Sequence, residues 1–227
     1  MFKVIKINKF VVLLILFIIC YLIFASINFN KSKSTSSSFT TPLILIDAGH
    51  GGLDGGAVGA KTNVKESDLN LKYARTLKKY FLSLNYRVEL IRETEFSLKS
   101  NKKDDMEERK KIIENSKADI FISIHMNKFL DTVSKGAQVF YKQDDELSKS
   151  LAENIKNLLV KNIEYSRKLA LSGDFMVLNS AKCPCVLIEC GFLSNQFDEQ
   201  RLQTEEYREA LCYQIFCGTL KFLNKRD

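Results

Sequence analysis

The chain contains two histidines, and each follows a short apolar run. His50 closes the segment Leu43–His50 (LILIDAGH), and His125 closes the segment Asp119–His125 (DIFISIH). A single histidine in such a place is usually structural. Two histidines at equivalent positions can meet at one edge of a sheet, because the carboxyl ends of neighbouring strands gather there. We therefore interpret His50 and His125 as candidates for one shared site.

Two glutamates offer carboxylates that could act beside these histidines. Glu66 stands at the start of an amphipathic segment, where a carboxylate is often only a partner of the helix dipole. Glu189 ends the apolar run Val186–Glu189, and a carboxylate buried there without a partner would be costly. A metal cation would supply that partner, so Glu189 is difficult to explain as a purely structural residue.

These residue types suit one kind of chemistry. Two neutral imidazoles and a carboxylate are a common ligand set for catalytic Zn²⁺, and they leave one position open. The ion lowers the pKa of water and polarises a carbonyl. A second carboxylate near the ion can take the proton of the water and pass it to a leaving nitrogen. The sequence therefore predicts a zinc site that hydrolyses an amide bond.

Five glycines surround His50 within the stretch Gly49–Gly56. Glycine allows the backbone to turn tightly and leaves space above a site. The same stretch could be an ordinary loop between a strand and a helix. It is not typical of a phosphate-binding loop, because no Gly-Lys-Ser/Thr follows.

The elements that would position these residues alternate along the chain. Apolar runs predict strands at Leu43–Ile46, Tyr86–Ile91, Ile120–Ile124, Ala137–Tyr141 and Val186–Ile188. Apolar residues at helical spacing predict helices over 71–84, 106–115, 147–158 and 207–222. Strands separated by helices predict an α/β fold, in which helices cover both faces of a sheet.

Four motifs, taken in this order, resemble the zinc-dependent N-acetylmuramoyl-L-alanine amidases of the amidase 3 family. They are Asp47–Gly59 (DAGHGGLDGGAVG), Lys65–Leu69 (KESDL), Ser123–Asn127 (SIHMN) and Ile188–Asn195 (IECGFLSN). The resemblance covers essentially all of residues 42–227. The departures are small: Ala48 stands where the family often has proline, Cys190 is at a variable position and Lys128 replaces a common alanine.

The resemblance implies Zn²⁺ as the cofactor, held by His50, Glu66 and His125. It implies Glu189 as the catalytic acid/base, and it implies that Arg92 and Asn127 lie near the substrate groove. The implied fold is a single α/β domain with a twisted, mostly parallel sheet flanked by helices. The implied substrate is peptidoglycan, cut between the lactyl group of N-acetylmuramic acid and L-alanine.

Within this family, the arrangement of the chain resembles the CwlD-type, germination-specific amidases of spore formers, which prepare cortex peptidoglycan for muramic-δ-lactam formation. Two other functions stay open. One is an inactive member of the fold that binds peptidoglycan or protein, and the other is a zinc peptidase that cuts within stem peptides. Because the sequence holds no wall-binding repeat, we expect a regulatory or activating protein partner, or localisation, to control the enzyme.

The first 27 residues predict a signal anchor. Lys3, Lys6 and Lys9 precede the uncharged run Phe10–Ile27, and its eighteen residues come close to the ~20 that span a bilayer. Lysines favour the cytoplasmic side, so the rest of the chain would lie at the extracytoplasmic face of a bacterial membrane. A small-residue cleavage site is poorly matched, and cleavage stays an open alternative.

Residues 28–41, rich in Ser, Thr, Lys and Asn, predict a flexible linker, and residues 42–227 a catalytic domain. The formal net charge is +7, but residues 1–46 hold five lysines and no acid, so the domain itself is nearly neutral. The domain has no basic stripe with interleaved aromatics, which argues against nucleic acid as a partner. Five cysteines follow the leader, and an odd number at these spacings does not predict a disulfide framework.

Overall fold

The computed structural model describes residues 9–31 and 41–225, in two compact units divided between Thr40 and Thr41. In the first unit, helix α1 spans Lys9–Lys31. Among the described residues, no helix combines the length and the apolar character needed to cross a membrane. Most of the expected linker falls on residues 32–40, which lie outside the described ranges.

The second unit is built on a six-stranded sheet. Its strands are β1 (Leu43–Ala48), β2 (Arg87–Leu90), β3 (Ile120–Asn127), β4 (Gln138–Lys142), β5 (Leu171–Gly173) and β6 (Cys185–Phe192). Their order across the sheet is β2-β1-β3-β6-β4-β5. β1 pairs in parallel with both β2 and β3, and β3 pairs in parallel with β6. The carboxyl ends of β1, β3 and β6 therefore lie side by side.

The sheet is mixed, which refines the prediction of a mostly parallel sheet: in the described part of the chain, four of its five strand pairings are parallel and one is antiparallel. β4 runs antiparallel to β6, and β5 runs parallel to β4. The reason lies in the connection between β3 and β4, which in the described structure contains no helix. A parallel return needs a crossover of about a dozen residues or more, usually helical, whereas a short loop reverses the chain.

Helices cover both faces of this sheet, as predicted. They are α2 (Glu66–Ser83), α3 (Lys102–Asn115), α4 (Glu146–Asn162), α5 (Met176–Ser180), α6 (Gln196–Leu202) and α7 (Glu205–Leu223). Apolar residues of α2, α4 and α7 form the larger core with Ile44 and Ile46 of β1. The residue between them, Leu45, joins the smaller core with α3 and α5 on the opposite face. This alternation is the two-residue period of a strand buried on both faces.

The short elements β5, α5 and α6 were not predicted from the sequence. None exceeds seven residues, which is too short for an apolar period to emerge. The four longer predicted helices are present as α2, α3, α4 and α7, and the five predicted strands as β1 to β4 and β6.

Candidate active site

The loop after β1 brings His50 back over the end of β3. His50 has a φ of 62°, which turns the chain sharply, and Gly51 and Gly52 continue at positive φ. A Cβ at Gly49 would lie 2.2 Å from Nε2 of His125, and one at Gly56 would lie 2.6 Å from Oε2 of Glu66. Glycine is therefore required at both positions because the site side chains press against the backbone there.

The loop brings His50 close to Glu66 and His125. One ligand atom from each lies within 4.8 Å of the others. Oε1 of Glu66 is 3.3 Å from Nε2 of His50 and 2.9 Å from Nδ1 of His125. Glu66 is the first residue of α2 yet is buried, and its Oε2 accepts a hydrogen bond from the Ala57 amide. Its carboxylate thus faces the histidines instead of capping the exposed end of the helix.

Asp54 and Asn70 orient these side chains, and the sequence analysis did not single out either of them. Oδ2 of Asp54 lies 2.9 Å from Nδ1 of His50, which leaves Nε2 of His50 facing Glu66. Asn70, one turn after Glu66 on α2, donates from Nδ2 to the Gly49 carbonyl at 3.1 Å and to Oε1 of Glu66 at 3.3 Å. Asp54 could have been found from its spacing, because it lies four residues after His50 in the glycine-rich loop.

Glu189 stands next to the cluster on β6. It is the register partner of His125 on the adjacent strand β3, so the two side chains project from the same face. Oε2 of Glu189 is buried, and within the described part of the chain nothing donates a hydrogen bond to it. The pKa of Glu189 is raised to about 7: burial is the main cause, His125 and His50 oppose the rise, and the Glu66 carboxylate adds to it.

Negative charge dominates the electrostatics of the cluster. Burial by itself would lower the pKa of His50 and His125, but the carboxylates around them raise both pKa values above the ordinary range. Burial would likewise raise the pKa of Glu66, but its hydrogen bonds with the two histidines hold it well below its usual value. A site that attracts protons to its imidazoles in this way would also attract a divalent cation.

These observations fit a bound zinc ion. Two imidazole nitrogens and a carboxylate oxygen face one another, and an imidazole ring oriented by a carboxylate on its other nitrogen is typical of zinc ligands. The buried, partnerless oxygen of Glu189 is also explained by a nearby cation. The residues present are therefore a suitable ligand set.

A buried ionic network stabilises the loop that follows β1. Arg109 of α3 lies between Asp105, with Nε 2.8 Å from Oδ2, and Asp47 at the end of β1. Asp47 also accepts a hydrogen bond from the Ser123 hydroxyl of β3 at 2.9 Å. The Arg109 guanidinium further donates to the backbone carbonyls of Ala48 and His50. It thereby ties α3 to the backbone of a candidate metal ligand.

Arg92 and Asn127, the two residues predicted to lie near the substrate groove, differ in burial and in hydrogen-bond partners. Arg92 is 3% exposed and donates to the carbonyls of Ala48, Gly49, Ser67 and Thr94 at 2.8 to 3.0 Å. The Arg92 guanidinium therefore holds the backbone of the loop, and its position near the substrate groove stays a prediction. Asn127 is partly exposed at the end of β3, where its Oδ1 accepts from the Lys128 amide at 2.8 Å.

A cavity of about 200 Å³ opens beside the cluster. His50, His125 and Glu189 line it, together with Lys102 and Met106 of α3. An apolar part of the lining, here called the apolar wall, comes from the start of α5: Phe175, Met176 and Val177. A substrate amide placed in this cavity would meet two of the candidate ligands, His50 and His125, together with Glu189.

Comparison with known proteins agrees with this geometry. A family model described as N-acetylmuramoyl-L-alanine amidase (Amidase_3) matches residues 44–220. The chain is 31% identical to the germination-specific N-acetylmuramoyl-L-alanine amidase of Bacillus subtilis (strain 168), over 88% of this chain and 87% of that protein.

Solved structures show the same fold. The CwlD amidase from Clostridioides difficile, in complex with the GerS lipoprotein, is 34% identical with a TM-score of 0.77, covering 82% of this chain and all of that one (100%). The catalytic domain of CwlV, an amidase from Bacillus (Paenibacillus) polymyxa var. colistinus, is 29% identical with a TM-score of 0.73, covering 81% and 99%.

Proposed function

This chain belongs to the N-acetylmuramoyl-L-alanine amidase family, and we propose that it cleaves the amide bond between N-acetylmuramic acid and L-alanine in peptidoglycan. One observation carries the proposal. A His50–Glu66–His125 cluster lies beside Glu189, whose buried oxygen lacks a partner among the described residues. This arrangement combines a suitable metal site with a carboxylate able to exchange protons.

Amide hydrolysis needs a metal site and a proton-transfer group, and different residues supply them. His50, Glu66 and His125 would hold Zn²⁺, which when bound polarises the amide carbonyl and acidifies water. Glu189 takes the proton of the attacking water and delivers it to the nitrogen of L-alanine as that nitrogen leaves. The position of Glu189 suits both steps, because its buried Oε2 receives no hydrogen bond from the described residues and so is open to accept and then release a proton.

We further propose that the bond is cut in spore cortex peptidoglycan, in preparation for germination. The support is the similarity of nearly the whole domain to an amidase named germination-specific and to the CwlD amidase. Deleting the gene in its host and analysing the cortex for muramic-δ-lactam tests this role. Unchanged lactam content would contradict it.

The CwlD amidase is described in complex with a lipoprotein, and we propose that this chain also acts with a protein partner. Full zinc affinity and full activity of the purified protein, without any addition, would contradict a required partner.

For localisation, we propose that residues 1–27 anchor the enzyme, with the catalytic domain at the extracytoplasmic face. The support is the uncharged run Phe10–Ile27 behind Lys3, Lys6 and Lys9. Protease added to intact protoplasts should degrade the domain and spare a cytoplasmic control protein. A protected domain would contradict this orientation.

The amidase proposal is tested with a purified muropeptide and the pair wild type and Glu189→Gln. Wild type should release the complete stem peptide, identified by mass, and the variant should lose about 10²–10⁴-fold in kcat because it cannot transfer the proton. Zinc content should stay equal in both. Cleavage within the stem peptide would identify a peptidase instead, and binding without cleavage would identify an inactive member of the family.

A further inference from the structure

Lys102 stands at the mouth of the cavity beside the candidate ligands. It is the first residue of α3, its side chain is 68% exposed, and it lines the same cavity as His50 and Glu189. Phe175 and Met176 line the same cavity. The cavity thus combines an apolar wall, the candidate catalytic residues and an exposed cation.

This charge is available to a ligand, unlike that of the other cation in the cavity wall. Arg109 is buried and forms ion pairs with Asp47 and Asp105. Nζ of Lys102 lies 3.3 Å from Oδ2 of Asp54, an exposed pair of the kind that contributes little to stability. Asp54 keeps its hydrogen bonds with His50 and the Gly56 amide when the flexible lysine moves away.

Resting on the proposed amidase function, we propose that Lys102 forms a subsite for a carboxylate of the stem peptide. L-Alanine, whose nitrogen leaves at Glu189, carries only a methyl side chain, which suits the apolar wall. The next residue of the peptide is a D-glutamate joined through its side-chain carboxyl. Its α-carboxylate is free in some peptidoglycans and amidated in others, and Lys102 is placed to distinguish the two forms by charge.

The subsite predicts a specific pattern of kinetics. Lys102 would bind the substrate and the transition state equally well, because the carboxylate takes no part in the reaction. Losing it should raise KM and leave kcat unchanged. A lysine that acted only on His50 through Asp54 would instead alter metal affinity and kcat, whichever form of the peptide was present.

The experiment uses the full chain in detergent, loaded with zinc, and two synthetic muramoyl tripeptides with a free or an amidated α-carboxyl on the second residue. For Lys102→Met, KM for the free carboxylate should rise about two- to fivefold, the range of an exposed ion pair, and KM for the amide should not change. Lys102→Arg should restore most of the loss. Lys103→Met is the matched control, since Lys103 is the next residue of α3, is exposed and does not line the cavity.

Binding of the two free tripeptides, measured by calorimetry, gives the same comparison without turnover. Weaker binding of the carboxylate peptide alone in Lys102→Met supports the subsite. Equal losses for both peptides, a loss shared with Lys103→Met, or weaker zinc binding would overturn it. If wild type leaves both muramoyl substrates uncut, the amidase proposal fails, while the binding comparison still decides the role of Lys102.

Discussion

At the scale of single residues, the candidate site depends on side chains that would not touch the reaction. Oδ2 of Asp54 accepts a hydrogen bond from Nδ1 of His50, which leaves Nε2 of His50 facing Glu66. Asn70 places the Glu66 carboxylate from within the same helix. The ligands are therefore arranged in advance by their neighbours, which lowers the ordering needed when a metal binds.

Asp54→Asn should weaken zinc binding about tenfold, near the lower end of effects for residues that orient a metal ligand. The amide can still accept the hydrogen bond of His50, but it lacks the charge that makes the imidazole a stronger ligand. Competition with a chelator measures the affinity. The control is Asp68→Asn, an exposed acid in the first turn of α2 with the same change of charge. Equal affinities of Asp54→Asn and wild type would refute this role.

Arg92→Met should destabilise the protein by about 2–4 kcal/mol, because the buried carbonyls that Arg92 serves would lose their donors. Urea denaturation measures the free energy of unfolding. Arg87→Met, at an exposed position of β2, should change it by no more than about 0.5 kcal/mol. A rise in KM with unchanged stability would show instead that Arg92 acts at the substrate groove.

At the scale of elements, the loop between β1 and α2 is held from outside by helices that follow it much later in the chain. Arg109 of α3 donates to the His50 carbonyl at one end of the loop. Glu199 of α6 holds the other end, where it accepts hydrogen bonds from the Lys61 and Thr62 amides and from the Thr62 hydroxyl. A long glycine-rich loop can thus present ligands at fixed positions.

Glu199→Gln should lower the free energy of unfolding at pH 7 by about 1.5–3 kcal/mol, the range for hydrogen bonds to a charged group. Burial alone would raise the pKa of Glu199, but the hydrogen bonds from Thr62 and Lys61 hold it below its usual value. A lowered folded pKa stabilises the protein above the unfolded pKa of about 4.3, and this contribution is lost as the pH falls through the folded value.

The difference between wild type and Glu199→Gln should therefore shrink when urea denaturation is repeated between pH 7 and pH 3. Other carboxylates titrate in both proteins and cancel in the difference. Glu107→Gln, an exposed acid on α3, is the control and should show no such trend. A difference that stays constant down to pH 3 would show that the charge of Glu199 is not what holds the loop.

At the scale of the whole molecule, the candidate ligands come from three separate parts of the domain: the loop after β1, the start of α2 and the end of β3. A metal that links them binds the folded chain and not the unfolded one, so zinc should stabilise the entire domain. At free zinc about a hundredfold above Kd, the melting midpoint should rise by about 5–10 °C.

Removing zinc with a chelator should reverse this shift, and calorimetry of the metal-free and zinc-loaded protein measures it. His50→Ala is the control, because it lacks one of the three candidate ligands and should show a much smaller rise. The same rise in His50→Ala and wild type would place the bound zinc elsewhere.

The sequence by itself determined the α/β class, the long elements and the residues worth testing. Apolar runs of strand length mark β1, β3 and β6, and a polar residue just past each run falls at the carboxyl edge of the sheet, as His50, His125 and Glu189 do. The sequence likewise placed Glu66 shortly before an amphipathic helix, and Glu66 is the first residue of α2. These signals are local, since they depend on neighbours within a few positions along the chain.

Tertiary structure alone decided which partners these residues have. The inward turn of Glu66, the contact of Arg109 with the His50 backbone and the burial of Arg92 all join residues far apart in sequence. The pairing of β4 with β6, which follows it by more than forty residues, likewise joins distant parts of the chain. Periodicity carries no information about such pairings, because the packing of the whole domain determines which distant groups share a buried site.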